Sequence, residues 1–523
     1  MSPTLHPIEP QKGDVPTGLS PADQLTLLAL GQANLPEITQ RRQVFGAVQR
    51  FFGLDIHREY MVATAVDREL QAVYGPRRVE WKQFEEWAQK TLCQQDAVVV
   101  EMTTNTWEVH DVLTPHVHSI TVVHPPHVKL ITQMPVMNDK KASESLAILH
   151  AAGLLRGVWV PPQAVRDWRC LVAQRHDRVT AATQAKNRLH AILFRHQIEK
   201  PKSSLPFSVK RREFWLSLPV SPVEQLAIEL DLETIDHAEA QKARLEKVMT
   251  ATVLADERLP YLVQLPGVST LGALTILAAI GTIERFPTAK RLVGYAGLGS
   301  RVHDSGQKRS TGKITKSGRK DLRHAMVTAA SIAAETQAHW KAELARLEPR
   351  TGRNKAIVAI ARKLLVVVWH VLTKKEADRH ANEAQVAAGF VHVAYQHVGA
   401  RNLPDGMTGP EFARQHLDTL GLGKDLQRVK YGSRNFILPQ SSQPGAAPMA
   451  QPNGRGQLQN TREAKLKRAE GAARKRAVIE AKRKEAEARM GRLRKTRADK
   501  GTHRGPNRIT KEKLEQAEVV GKK

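Results

Sequence analysis

The stretch FFGLDIHREYMVATAV, residues 51–66, holds two apolar runs, FFGLDIH (51–57) and YMVATAV (60–66), separated by a short charged turn. Runs of this length, rich in β-branched and aromatic residues and bounded by turn signals, predict two adjacent strands. Working outward, a weaker third run covers Ala72 to Val79, and Trp81 to Cys93 has a helical texture. DAVVVEM (96–102) is a buried strand by composition, Thr106 to Leu113 a short helix, SITVVH (119–124) another strand, and Asp139 to Ala152 a helix.

Three strands, then helix, strand, helix, strand and helix is the order of a ribonuclease H-like fold. A fold alone does not imply a function, so the acids must be placed on it. Asp55 sits inside the first strand, between Leu54 and Ile56, where a core-facing strand normally carries an apolar residue. Glu101 ends the fourth strand and Asp139 opens the last helix. Three carboxylates from separate segments can converge and hold Mg²⁺, which takes oxygen ligands and keeps several waters. Two such ions about 4 Å apart can activate a water or hydroxyl and stabilise the leaving oxygen in phosphodiester cleavage. Taken singly, Asp139 also fits a helix cap and Glu101 a surface charge.

The 523 residues suffice for two to four domains and carry a formal net charge of +28, with a pI near 10.2. Such a balance points to a polyanionic partner, most often nucleic acid. An anionic membrane is the rival, but the most apolar segment, Ala356 to Leu372, is split by Arg362 and Lys363 and reads as a buried helix. No basic end followed by an apolar run opens the chain, so no secretory signal is expected. Two cysteines, Cys93 and Cys170, make neither a disulfide framework nor a zinc cluster; that fits a reducing cytoplasm and leaves metal binding to carboxylates.

The composition divides the chain into an N-terminal extension (1–45) with one helix over Pro21 to Gly31, an α/β domain (46–160), a helical segment (161–258), a mainly helical domain (259–432), and a flexible linker with a basic tail (433–523). Within 161–258, long helices are expected over Val165 to His196 and Val223 to Val253. The second has an imperfect apolar stripe, Leu226, Leu230, Ile235, Ala238, Leu245 and Val248, that suits either a partner helix or an intramolecular hairpin. Along the first helix, Lys186 and Arg188 are candidates to line a nucleic-acid backbone groove, although helix charges often simply face water. LVQLPGVSTLGALTILAAIG (262–281) is similar to a helix-hairpin-helix, in which backbone N–H groups near Gly267 and the next helix N-terminus would meet a phosphate.

Gly297 to Arg323 then reads as a cationic loop with eight Lys or Arg, five Gly and no aromatic residue. Ser305 stands in it between Asp304 and Gly306, and Lys308, Arg309, Lys313, Lys316, Arg319, Lys320 and Arg323 suit a polyanion. Helices from Leu322 to about Leu344 and from Lys355 to Lys374 would scaffold it. The tail from Gln451 to Lys523 carries 23 Lys or Arg against 9 Asp or Glu, which fits a sequence-independent nucleic-acid arm or a solubility device.

Seven blocks in order, GLDIH, VVVEMTTNTW, NDKKASESLA, GLLRGVWVPP, AKNRLHAIL, LPGV with RLVGYAGL, and SGQKRSTGKITKSGRKDLR, resemble the insertion-sequence 110 and 116 group of transposases over residues 50–380. These are bacterial recombinases associated with a guiding bridge RNA. The resemblance implies a RuvC-like nuclease domain with Asp55, Glu101 and Asp139, a coiled-coil segment, and a transposase domain with a catalytic serine, here Ser305. It implies donor and target DNA as substrates, a structured guide RNA, at least a dimer, Mg²⁺ as cofactor, no membrane, and a nucleoid-associated cytoplasmic location. One departure stands out: the family carries a fourth acid three residues after the third, and this chain has Ala142 there. Glu144 and Asp67 are the nearest substitutes in sequence. The competing readings are a catalytically weakened or repurposed nucleic-acid-binding protein and a RuvC-type junction nuclease, the latter leaving Ser305 without a role.

Overall fold

The structure, a computed structural model, describes residues 45–126, 138–203, 205–305, 308–399 and 403–447, with backbone alone at 302–305, 308–311, 396–398 and 405. The expected helix at Pro21 to Gly31 and the basic tail from Gln451 lie outside the described residues. The chain divides into two compact units, Met1–Gln163 and Ala164–Lys523.

The first unit is built on a five-stranded sheet: β1 (Arg50–Ile56), β2 (Tyr60–Val66), β3 (Ala72–Glu80), β4 (Asp96–Glu101) and β5 (Ser119–Val123), in the order β3-β2-β1-β4-β5. β1, β2 and β3 form an antiparallel meander, whereas β4 and β5 run parallel to β1. Helices α1 (Phe84–Thr91) and α2 (Thr106–Leu113) serve as the connections that the parallel strands require. Alternation along β1 sends Phe52, Leu54 and Ile56 to one face, where they bury with Trp87, Val109 and Leu113. Phe51 and its neighbours Val66 and Ala97 pack instead against Ala147 and Ala151 of α3 (Asp139–Ala151).

Gly53 explains how closely α3 approaches. A Cβ there would collide with the Ser143 carbonyl oxygen and the Ala147 nitrogen and would come within 2.9 Å of Leu146 Cβ. Thr64, paired with Gly53 across the ladder, meets the same helix, its Oγ1 lying 2.8 Å from Ser143 Oγ with both hydroxyls buried. The helix therefore lies on the backbone of β1, and its N-terminus is fixed beside the C-terminal end of that strand.

In the second unit, α4 (Gln163–Arg195) and α6 (Pro222–Leu254) form an intramolecular antiparallel pair. Arg175 meets Glu246 at 2.7 Å, Lys186 meets Glu239 at 3.3 Å, Arg188 meets Asp231, and Arg195 meets Glu224 at 2.9 Å, a ladder whose members run in opposite directions. The connection expected over 201–222 contains a 3-10 turn (Val209–Arg211) that runs into a short helix, α5 (Arg212–Leu216), whose Trp215 is fully buried against Leu189, Leu193 and Ile228 and donates to the Pro206 carbonyl at 2.9 Å.

Helices α7 (Leu259–Val263), α8 (Thr270–Ile280), α9 (Ala289–Tyr295), α10 (Lys320–Thr336), α11 (Ala338–Thr351) and α12 (Arg353–Lys374) form the helical core of this unit. Three sequence expectations need correction. The helix expected from Leu322 to Leu344 is two helices, because Gln337 is extended (φ −113°, ψ 131°) and its Nε2 donates to the His380 carbonyl at 2.8 Å. The loop expected over 297–323 contains an antiparallel β-hairpin, β6 (Ser300–Ser305) with β7 (Lys308–Ile314). Residues just past 432 belong to the fold: β8 (Arg428–Tyr431) pairs with β9 (Arg434–Ile437), and Phe436 and Leu438 bury against α13 (Glu383–His392) and α14 (Gly409–Thr419).

Helix α12 is long and apolar enough by composition to cross a bilayer. Its Ile357, Ile360, Leu364, Leu365 and Val368 are buried in the helical core, as the sequence leads one to expect of a core helix.

Candidate active site

Three constraints bring Asp55 and Asp139 together. Alternation puts Phe51, Gly53 and Asp55 on the face that α3 covers. Gly53 lies against Ser143 and Ala147; two residues along the strand and one turn back along the helix lead to Asp55 and Asp139. Asn138 caps the helix by accepting from the Lys141 amide at 2.9 Å, so Asp139 sits in the first turn, where a carboxylate is favoured by the helix dipole.

His57 completes this cluster, a residue to which the sequence reading gave no role. Its Nε2 lies 3.2 Å from Asp55 Oδ2 and 3.4 Å from Asp139 Oδ2. One ligand atom from each of the three residues falls within 4.8 Å of the others. Tyr60 donates its hydroxyl proton to Asp139 Oδ2 at 2.9 Å, and Arg78 stacks 3.7 Å from the Tyr60 ring centre. Sequence offers only a partial cue, since His57 follows Asp55 at the strand's period of two but Asp139 lies far along the chain.

Burial and mutual proximity perturb these groups. Burial pushes the Asp55 carboxyl above its ordinary value; the His57 imidazole pulls it back, and the neighbouring Asp139 charge raises it again. The bond to Asp139 likewise raises the Tyr60 phenol. Two carboxylates and an imidazole at such spacing are a donor set that a divalent ion fits, and Asp55, Asp139 and His57 would hold it. Glu101 stands on the adjoining strand, one register step beyond the Leu54–Val100 pair that precedes Asp55. The structure thus joins Asp55 and Asp139 through His57 and stations Glu101 beside them at the carboxyl end of the parallel strands.

Neither substitute for the absent fourth acid reaches this cluster. Glu144 is exposed on α3. Asp67 accepts from the amides of Glu69 at 3.0 Å and Gln71 at 2.8 Å in the turn after β2, at the opposite end of β1 from Asp55.

In the second unit, Ser305 ends β6 and pairs with Lys308, and Asp304 pairs with Arg309. Lys313, Lys316 and Lys320 are exposed. Arg319 is held in a two-pronged pair with Asp321, and Arg323 donates to the Ala296 carbonyl at 2.9 Å. Gly267 (φ +79°) presses against the Ala329 backbone of α10, so its missing side chain is required by packing. Ser269 caps α8 by accepting from the Gly272 amide at 3.1 Å. Lys186 and Arg188 both lie in the helix pair's ion-pair ladder.

A mixed α/β unit with Asp55 and Asp139 meeting at the carboxyl end of its central strand is followed in the chain by a mainly helical unit, and comparison with known proteins gives this arrangement its class. Residues 52–197 match a DEDD-type transposase profile of the insertion-sequence 110 kind, and residues 259–345 match the profile described as "Transposase IS116/IS110/IS902 family". The transposase for insertion sequence element IS1111A of Coxiella burnetii is similar, at 25% identity over 49% of this chain and 72% of its own length. The pilin gene-inverting protein of Moraxella bovis is 31% identical over 26% of this chain and 44% of its own. The chain thus carries two transposase domains of the insertion-sequence 110/116 kind, and transposases of that kind cleave DNA and transfer its strands.

Proposed function

We propose that this chain cuts and rejoins DNA at the ends of an insertion sequence, using the Asp55, Glu101 and Asp139 edge of a RuvC-like, ribonuclease H-type domain together with Ser305 as nucleophile. The single observation that carries this reading is the meeting of Asp55 and Asp139 at the carboxyl end of β1, on a chain of a transposase family. When bound, a divalent ion, Mg²⁺ on the oxygen-ligand reading, would polarise a phosphoryl oxygen and lower the pKa of an attacking hydroxyl. Asp55 and Asp139 supply the charge that holds it, and Tyr60 fixes the Asp139 carboxylate through its hydroxyl.

Ser305 Oγ would give its proton to solvent and form the new bond to a DNA phosphorus as the bond to the leaving oxygen breaks, that oxygen taking up a proton from solvent. Serine oxygen is weak at neutral pH, so exposed cations such as Lys313, Lys316 and Lys320 stabilise the charged transition state. The choice of donor and target falls to a structured bridge RNA, and handling two duplexes requires at least a dimer. The location is cytoplasmic, on the nucleoid.

Protein, RNA transcribed from the flanking non-coding DNA, suicide DNA substrates and a divalent ion should give a covalent protein–DNA adduct. Ser305→Ala and Asp55→Ala should each lose it. If no condition yields an adduct, the cleavage reading fails, and the Ala142 departure then favours a nucleic-acid-binding protein.

A further inference from the structure

We infer that His57 is a metal ligand, so that this centre is a mixed nitrogen and oxygen site selecting Co²⁺ and Mn²⁺ over Mg²⁺. The inference rests on the proposed metal-binding role of Asp55 and Asp139 and adds to it the identity of a donor. The helix bearing Asp139 offers no carboxylate one turn on, because position 142 is alanine. The structure instead directs a ring nitrogen to the space between the two acids, with Nε2 3.2 Å from one Oδ2 and 3.4 Å from the other.

The ring is held there from several sides. The His57 amide donates to the Tyr60 carbonyl at 2.9 Å, closing the turn between β1 and β2, and its own carbonyl accepts from Trp81 Nε1 at 3.2 Å. Its imidazole lies 4.8 Å from the Tyr60 ring, tilted by 32°, and Arg78 packs on Tyr60. Tyr60 in turn binds Asp139, so one aromatic side chain orients both the imidazole and a carboxylate. These backbone and ring contacts hold the imidazole with Nε2 facing the two carboxylates.

The chemistry then sets the preference. Mg²⁺ takes oxygen ligands in near-ideal octahedra, whereas imidazole suits later first-row ions, with affinity rising from Mn²⁺ to Co²⁺. Replacing an acid by an imidazole also removes one negative charge, which costs Mg²⁺ more than an ion able to use nitrogen.

The full-length protein, stripped with chelator, is titrated separately with Mg²⁺, Mn²⁺ and Co²⁺ while the rise in Tm is recorded. The wild type should bind Co²⁺ and Mn²⁺ more tightly than Mg²⁺. His57→Ala should shrink the Co²⁺ over Mg²⁺ preference by about tenfold, and His57→Asp should restore Mg²⁺ binding. With Co²⁺ bound, the wild type should show a hyperfine-shifted, exchangeable ring N–H resonance that His57→Ala lacks. An unchanged ion preference in His57→Ala, alongside lost binding in Asp55→Asn, overturns nitrogen ligation and leaves the carboxylate centre standing. Absence of stabilisation by every ion overturns both, and a fall in chelated stability in His57→Ala would then assign His57 to a structural ion pair.

Discussion

Asp55 interrupts an apolar strand, and its surroundings turn that interruption into a measurable pH effect. Burial and the Asp139 charge raise its folded pKa above the ordinary 3.8, so its neutral form fits the metal-free fold better than its charged form. The sign follows: this contribution to stability is present below about pH 4 and is lost as pH rises through the folded pKa. Metal-free wild type should lose Tm relative to Asp55→Asn on going from pH 4 to pH 7, and a divalent ion should recover that loss in the wild type only. Parallel Tm profiles for the two proteins would contradict this account. His150 titrates the opposite way. Fully buried between Phe45 and Phe51 at ring distances of 5.0 and 5.8 Å, its imidazole is pushed down to about 3. The unfolded chain therefore takes up a proton below about pH 6.5 that the folded chain refuses, and stability falls between pH 6.5 and 3. By pH 5 the loss is about 2 kcal/mol, and His150→Leu should flatten that limb of the stability profile.

At the scale of elements, helix α3 is both clamp and ligand carrier. Gly53→Val would push it off β1 and part Asp55 from Asp139, with an overpacking cost of about 3 kcal/mol. Differential scanning of the variant should show the lower Tm, and added divalent ion should no longer raise it. The ladder between α4 and α6 predicts an asymmetry. Asp231 is buried whereas Arg188 is mostly exposed, so Arg188→Ala strands a buried carboxylate, while Asp231→Asn leaves a cation that water can solvate. Urea unfolding should therefore show Arg188→Ala to be the more damaging change. The strands and long helices were legible from apolar runs because their local and tertiary preferences agree, and the structure adds side-chain caps at Ser221 and Ser269. Gln337 was illegible because nothing in its Ala- and Glu-rich neighbourhood stops a helix; a distant carbonyl, that of His380, does. The hairpin at 300–314 was hidden by its Lys, Gly and Ser content, which looks like loop in any local window. In the candidate site, Asp55 was readable as the interruption of an apolar strand and Asp139 as the acid that opens a helix, but His57 gains its meaning from Tyr60 and Asp139, and no window on the sequence contains both.

At the scale of the whole molecule, charge is unevenly spread. The 73 residues from Gln451 to Lys523 hold 23 Lys or Arg against 9 Asp or Glu, a net of +14, which is half of the chain's +28. Arginines within the folded second unit are often committed elsewhere: Arg169 caps the Ala278 carbonyl at 2.9 Å, Arg258 is paired with Asp256 at 2.7 Å, and Arg414 binds the Gly423 carbonyl at 2.8 Å. A committed guanidinium releases few counterions from DNA, so the tail should dominate the salt-dependent part of binding. Affinity for duplex DNA follows the number of phosphates neutralised, with a log–log slope of about −0.9 per phosphate. Deleting 451–523 should therefore weaken binding most at low salt and make the slope shallower by several units. Choice of site should survive, because phosphate contacts position a protein without reading sequence. Fluorescence anisotropy of labelled duplexes across a salt series decides the matter: equal slopes for the full and shortened chains would make the tail a solubility device and return the electrostatic work to Lys313, Lys316 and Lys320.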